Sequence, residues 1–186
     1  MVPDFNECRR LLIRHQVPEH IVSHSLQVAR VALCLGKALS RRGVFIDQGI
    51  LLSGGLLHDI AKIESINNGR DHAELGAEWL HNYGFPAVAE VVGSHVRIKT
   101  DLNGPICAKE IVYYADKRVC HETIVSVQER ISDLYERYGK DSYARGLLHD
   151  MEVVTLAIEK KIFGELDFFP ADIINRCQPL GDNGKW

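Results

Sequence analysis

Residues 50–62, Ile-Leu-Leu-Ser-Gly-Gly-Leu-Leu-His-Asp-Ile-Ala-Lys, constrain the fold more than any other stretch of the chain. Drawn as a helix, the segment is apolar on nearly every side, the pattern of an element buried at the centre of a bundle. It nevertheless ends in His58, Asp59 and Lys62. An imidazole, a carboxylate and an ammonium at the end of a buried element are costly unless something pairs or coordinates them. Metal and phosphate are partners that suit these groups. Gly54 and Gly55 each cost a helix ~1 kcal/mol relative to alanine, so they predict the close approach of another helix.

The flanking sequence supplies more helices. A short one is expected over 4–15, ended before Pro18, and a longer one from Glu19 to about Leu39, closed by Arg41, Arg42 and Gly43. His24, Val28, Val31 and Leu35 fall on one stripe, so His24 is expected to face the core. Asp47 reads as the N-cap of the central helix, with Ile46 stapled to Leu51, and Asn67-Asn68-Gly69 as the loop after it. Asp71-His72-Ala73-Glu74 reads as an N-cap with a capping-box glutamate, placing His72 in the first turn of a helix that ends near Tyr83-Gly84.

Pro86 starts a short helix on which Val88, Val91 and His95 share a face, with His95 at the carboxyl end. After Asn103-Gly104-Pro105 a helix is expected from about Ile106 to Val119, with Asp116 at the edge of its apolar stripe. Two more are expected near 122–138 and 142–163, stopped by Gly139 and Gly164. No stretch alternates convincingly enough for a strand. The expected fold is all-α: a single helical domain over 1–163, then a 164–186 extension. In that extension Asp167-Phe-Phe-Pro is expected to dock on the body and Gly181 to Trp186 to be a loose tail.

Composition narrows the function. With 46% apolar and 25% charged residues the chain is globular, and a formal charge of −3 gives no basic excess to attract a nucleic-acid backbone. The five cysteines are odd in number and never spaced Cys-x-x-Cys, which points to a reducing cytosol rather than a disulfide frame or a cysteine-built zinc site. The first residues lack the apolar core of a signal peptide, and no apolar run reaches the ~18 residues of a membrane span. A cytoplasmic protein without membrane contact is expected.

His24, His58, Asp59, His72, His95 and Asp116 come from five expected helices. Imidazole and carboxylate ligate borderline or hard divalent metals, and facing helices of a bundle are where such sites are built. Six ligands exceed the needs of one tetrahedral ion, so one or two divalent ions are expected, with Asp59 available as a bridge. Iron, manganese, zinc, cobalt, nickel and magnesium all fit these donors. Gly-Leu-Leu-His-Asp recurs at 146–150, where His149 points away from the apolar face, so the second copy is expected to be chance. His15, His20, His81 and His121 are expected as surface or supporting groups, and Glu129-Arg130 with Glu136-Arg137 as a solvated helix face.

The ordered set of a histidine, Leu-Leu-His-Asp-Ile-Ala-Lys, later histidines and an aspartate in Tyr-Ala-Asp-Lys-Arg resembles the HD-domain superfamily of metal-dependent phosphohydrolases over roughly residues 18–140. The resemblance implies a helical bundle with the metal site in its core. It assigns His24, His58, Asp59 and Asp116 to the basic metal site, and His72 and His95 to a second one. It also gives Lys62 the place of the lysine that meets substrate phosphate. Ala61 stands where many members have glycine, and His95-Val96 where cyclic-dinucleotide phosphodiesterases carry adjacent histidines, which disfavours that substrate. Small stand-alone bacterial members, which include diadenosine tetraphosphate hydrolases and nucleotidases, resemble this chain more closely.

The implied reaction is hydrolysis of a phosphate ester or anhydride, with a small phosphorylated substrate, expected to be a nucleotide. Asp59 would hold or deprotonate water, and Lys62, with Arg97, Lys117 or Arg118, would meet the phosphoryl oxygens. The alternatives are a non-catalytic metal- and nucleotide-binding regulatory module and an oxygen-activating di-metal protein, against which Lys62 argues. Exposed apolar residues of the last helix and Phe168-Phe169 are candidates for a homodimer contact, or else pack within one chain.

Overall fold

A computed structural model describes residues 1–177 of the protein. The elements are α1 (Phe5–Arg14), α2 (Glu19–Arg41), α3 (Gln48–Leu57), α4 (Lys62–Asn68), α5 (His72–Asn82), α6 (Pro86–Gly93), α7 (Ala108–Asp116), β1 (Val119–Cys120), β2 (Thr123–Ile124), α8 (Val127–Tyr138) and α9 (Ser142–Gly164), then a 3-10 turn (Pro170–Asp172) and α10 (Ile173–Arg176). The fold is all-α. Among the described residues its only sheet is the antiparallel ribbon pairing Val119 with Ile124 and Cys120 with Thr123. No helix among them is long and apolar enough to cross a membrane.

Helix α3 is the central element, packed against α1, α2, α6 and α7. It divides two apolar clusters: Leu51 packs with Val28, Val31, Leu35 and Val112, while Leu56 and Leu57 pack with Leu11, Leu12, Leu75 and Val88. Its glycines explain the tight fit. A Cβ on Gly55 would lie 2.5 Å from Ala29 Cα and 2.8 Å from Ala29 N, so the backbones of α2 and α3 touch there. A Cβ on Gly54 would lie 2.7 Å from Val91 Cγ1 on α6.

Three boundaries differ from expectation, each for a local reason. The central helix stops at Leu57 because the Gly55 carbonyl accepts the Nδ1–H of His58 at 2.8 Å, and single turns follow (Ile60 N–H to Leu57 O, Lys62 N–H to Asp59 O, both 3.1 Å). Lys62 therefore starts a new helix, α4, which fills part of the expected loop and ends at left-handed Gly69 (φ 71°). Helix α7 ends at Asp116, three residues short, where the chain turns into the ribbon through left-handed His121 (φ 55°). The next helix starts only at Val127, fixed by a capping box in which Ser126 N–H donates to Glu129 at 2.7 Å and Glu129 N–H to Ser126 Oγ at 3.1 Å.

On α9 the buried positions are Leu148, Thr155, Ile158 and Ile162, whereas Leu147 is exposed. Phe168 packs in the core against Phe163, while Phe169 is exposed. The tail expected over Gly181 to Trp186 lies outside the described residues.

Candidate metal centre

The six expected ligands converge on one place. His24 comes from the buried face of α2, His58 caps α3, and Asp59 lies in the turn after it. Asp71 accepts the N–H groups of Ala73 at 2.8 Å and Glu74 at 3.3 Å, which starts α5 so that His72 leads its first turn. His95 follows the Ser94 cap of α6, and Asp116 is the last residue of α7.

Two groups of donors share Asp59. On one side His24, His58 and Asp59 offer ligand atoms within 4.8 Å of one another, and on the other Asp59, His72 and His95 do the same. Asp116 completes the first group, with its Oδ1 3.1 Å from His24 Nε2 and 3.6 Å from His58 Nε2. Asp59 divides its oxygens: Oδ2 lies 3.5 Å from His58 Nε2, and Oδ1 lies 3.2 Å from His72 Nε2 and 3.6 Å from His95 Nε2. The Nε2 atoms of His72 and His95 are 3.0 Å apart.

The donor set fits a divalent metal on three counts. First, a carbonyl only accepts, so a ring nitrogen facing one carries the proton and leaves the other nitrogen as the donor. His24 Nδ1 faces His121 O at 2.8 Å, His58 Nδ1 faces Gly55 O at 2.8 Å and His95 Nδ1 faces Val92 O at 2.6 Å, so three Nε2 lone pairs point into the cluster. Second, His58 Nε2 is buried without a hydrogen-bond partner among the described residues, an orphan that a coordinated ion would satisfy. Third, neighbouring corners of an octahedron or tetrahedron with bonds of about 2.1 Å lie roughly 3.0–3.4 Å apart, close to the 3.0–3.6 Å that separate these donors.

Electrostatics keep the ligands in binding form. Burial pushes the His58 imidazole down to about 3, so it is neutral at pH 7. Burial opposes ionisation of Asp59, but the surrounding imidazoles and the Lys62 ammonium outweigh it and hold the carboxyl well below its ordinary range. Asp116 behaves alike, with burial overcome chiefly by the Lys117 ammonium and the His24 bond.

The expected phosphate-binding cations separate. Lys62 Nζ donates to Asp59 Oδ2 at 2.6 Å, yet its side chain is 43% exposed, so it reaches both the centre and solvent. Arg97 is exposed just after His95, and no hydrogen bond or ion pair holds its side chain among the described residues. Lys117 is buried, with its ammonium turned inward, so it does not present a charge to a substrate. Arg118 is a correction to the expected set. Its guanidinium is buried and donates to Val125 O, Tyr114 Oη and Pro170 O, clamping the ribbon and the C-terminal turn to α7.

Among the histidines expected outside the centre, His20, His81 and His149 are exposed, and His15 bonds Tyr83 Oη at 3.0 Å. His121 contributes what its side chain did not announce, a backbone carbonyl under His24, aimed by its left-handed conformation. The sequence carries no signal for that contact.

The HD domain family matches this sequence over residues 21–119, and the chain belongs to that family. An uncharacterized protein of Methanocaldococcus jannaschii is 29% identical over 144 residues, covering 70% of this chain and 84% of its own. Ribonuclease Y of a Sulfurovum species is 26% identical over 131 residues, covering 68% of this chain but only 25% of that much longer protein. A solved structure described as a predicted HD superfamily hydrolase, from an uncultured Thermotogales bacterium, is 23% identical and covers 88% of this chain and 93% of its own, with a TM-score of 0.48.

Proposed function

We propose that the protein is a metal-dependent phosphohydrolase that cleaves a phosphate ester or anhydride of a nucleotide or other small phosphorylated metabolite. The observation that carries this reading is the Asp59–Lys62 pair. A carboxylate shared by two donor groups lies 2.6 Å from an ammonium that also faces solvent. Bundle centres devoted to redox chemistry need no such cation, whereas a phosphoryl group approaching Asp59 does. The HD domain match over the same residues supports the assignment.

In this reading His24, His58, Asp59 and Asp116 would hold one divalent ion, and Asp59, His72 and His95 a second. Such ions would supply polarisation of a phosphoryl oxygen and a water closer to ionisation at neutral pH. The chain's own groups do the rest. Asp59 orients the attacking water, whose proton passes to solvent, and Lys62 leaves Asp59 to neutralise charge growing on the phosphoryl oxygens. His72, with a side chain 25% exposed against 0% for His58, marks the side from which substrate enters.

Ribonuclease Y is named for RNA, itself a phosphate ester, so the same bond class is within reach of the relatives. The formal charge of −3 favours a small substrate over a polynucleotide for this chain. The deciding experiment strips the protein of metal, reloads it with manganese, cobalt or iron, and follows product release. The panel is nucleotides, dinucleoside polyphosphates, sugar phosphates and an RNA oligonucleotide. Turnover confined to one small-molecule group is expected. Turnover of RNA alone would overturn the substrate class, and no turnover with metal bound would make the protein a regulatory binding module.

A further inference from the structure

The ammonium of Lys117 links Asp116, in one donor group, to the backbone of His95, in the other. It donates to Asp116 Oδ2 at 2.7 Å and to the backbone carbonyl of His95 at 2.7 Å, and it sits 4.6 Å from the centroid of the Tyr113 ring. An ammonium has three N–H bonds, so two hydrogen bonds and one aromatic face engage all of them. The residue is 3% exposed, with its charge turned inward, away from solvent. Lys62 makes a carboxylate pair of similar length but is 43% exposed. Two lysines of one type therefore stand in two different situations.

The consequence falls on Asp116. Its Oδ2 is taken by Lys117, while its Oδ1 faces His24 Nε2 at 3.1 Å and His58 Nε2 at 3.6 Å. A carboxylate on a free rotor presents either oxygen or both, whereas one held through Oδ2 by a buried ammonium keeps Oδ1 turned toward the imidazoles; the part-exposed Lys62 puts no such hold on Asp59. The second bond, to the carbonyl of His95, ties that pinned carboxylate to the segment carrying a ligand of the other donor group.

We propose that Lys117 is a positioning residue of the metal centre: it locks Asp116 into one-oxygen ligation and holds the two donor groups in register. This rests on the metal-centre reading given above and extends it to a residue that touches neither substrate nor metal. Partners that orient metal ligands typically change affinity by roughly 10–100-fold when removed.

The test is titration of Mn2+ into metal-stripped protein, read by the electron paramagnetic resonance signal of free and bound ion. Lys117→Met, which keeps the length and loses charge and donors, is expected to weaken one of the two Mn2+ equivalents by roughly 10–100-fold. Its bound-ion spectrum is expected to change as Asp116 gains a second free oxygen. Lys117→Gln keeps an N–H for Oδ2 and is expected to lose less, about threefold to tenfold.

Wild-type affinity at both equivalents in Lys117→Met overturns the proposal, as does a Lys117→Gln as weak as Lys117→Met. A lowered melting temperature with unchanged Mn2+ binding also overturns it, because that is what a purely structural lysine would give. Should Lys117→Met fail to fold, Lys117→Gln decides alone: a threefold or larger weakening of one equivalent supports the proposal and unchanged binding overturns it. Wild-type protein that binds Mn2+ yet hydrolyses nothing removes the hydrolase reading and leaves this inference standing. Wild-type protein that binds no Mn2+ removes both.

Discussion

Gly-Leu-Leu-His-Asp occurs at 55–59 and again at 146–150, and the two copies live in opposite surroundings. In the first, both leucines, His58 and Asp59 are buried, and Gly55 is pressed on the backbone of Ala29. In the second, only Leu148 is buried, His149 and Asp150 face solvent, and nothing lies within 4 Å of where a Cβ on Gly146 would be. Five identical residues thus give a metal-centre candidate in one place and a solvated helix turn in the other. The difference comes from what surrounds them. Copy one ends its helix and is met by His24, His72, His95 and Asp116 from four other segments, whereas copy two lies in the first half of α9 with no such neighbours among the described residues.

The two copies are expected to differ most at their aspartates. Asp59→Asn is expected to abolish turnover and the retention of both ions. The loss of metal assistance is worth several kcal/mol, or roughly 10^3-fold or more in rate. Asp150→Asn is expected to leave activity and metal content at wild-type levels. Equal effects of the two in steady-state assays would show that the motif alone, and not its setting, carries the chemistry.

Acid titration gives the next largest contrast. The unfolded chain protonates His58 near its ordinary 6.5, whereas burial in the fold holds the ring to about 3. Between those values the unfolded state binds the extra proton, so stability is full above 6.5 and falls as the pH drops toward 3. Asp59 and Asp116, held below their ordinary range, lose their stabilisation in the same direction at lower pH. For metal-stripped protein the fall is expected to reach several kcal/mol, since each tenfold difference in proton affinity between the folded and unfolded chain is worth ~1.4 kcal/mol. His58→Asn should flatten the upper part of the urea-denaturation profile against pH.

The glycines predict opposite signs. Gly55→Ala is expected to destabilise by about 1–3 kcal/mol or more, because the clash is with backbone and α2 cannot yield locally. Gly146→Ala is expected to stabilise by roughly 0.5–1 kcal/mol through helix propensity alone. Thermal melts of the two variants would separate them, and a shared sign would contradict the packing described for α3.

What is legible in the sequence follows the same division. His24 and Asp116 can be placed because each lies on or beside an apolar stripe of a helix, and His72 because Asp71 and Glu74 frame a helix start. The break after Leu57 is not legible, since it depends on a side chain competing for the Gly55 carbonyl, which a helical pattern does not register. The ribbon at Val119–Ile124 escapes because two-residue strands are too short to alternate. Arg118 and Lys117 show the limit most clearly. They are adjacent basic residues beside a ligand, and only tertiary contacts send one to Pro170 and the other to His95 and Asp116.

If Asp59 joins two metal positions in the buried first copy of the motif, the number of ions retained per chain must depend on it. Elemental analysis of wild-type, Asp59→Asn and Asp150→Asn protein, after reloading with manganese and removal of free ion, reads that number. Two ions in wild-type and Asp150→Asn protein, with none in Asp59→Asn, is the expected result. Asp59→Asn protein that keeps both ions, or wild-type protein that keeps none, would contradict it.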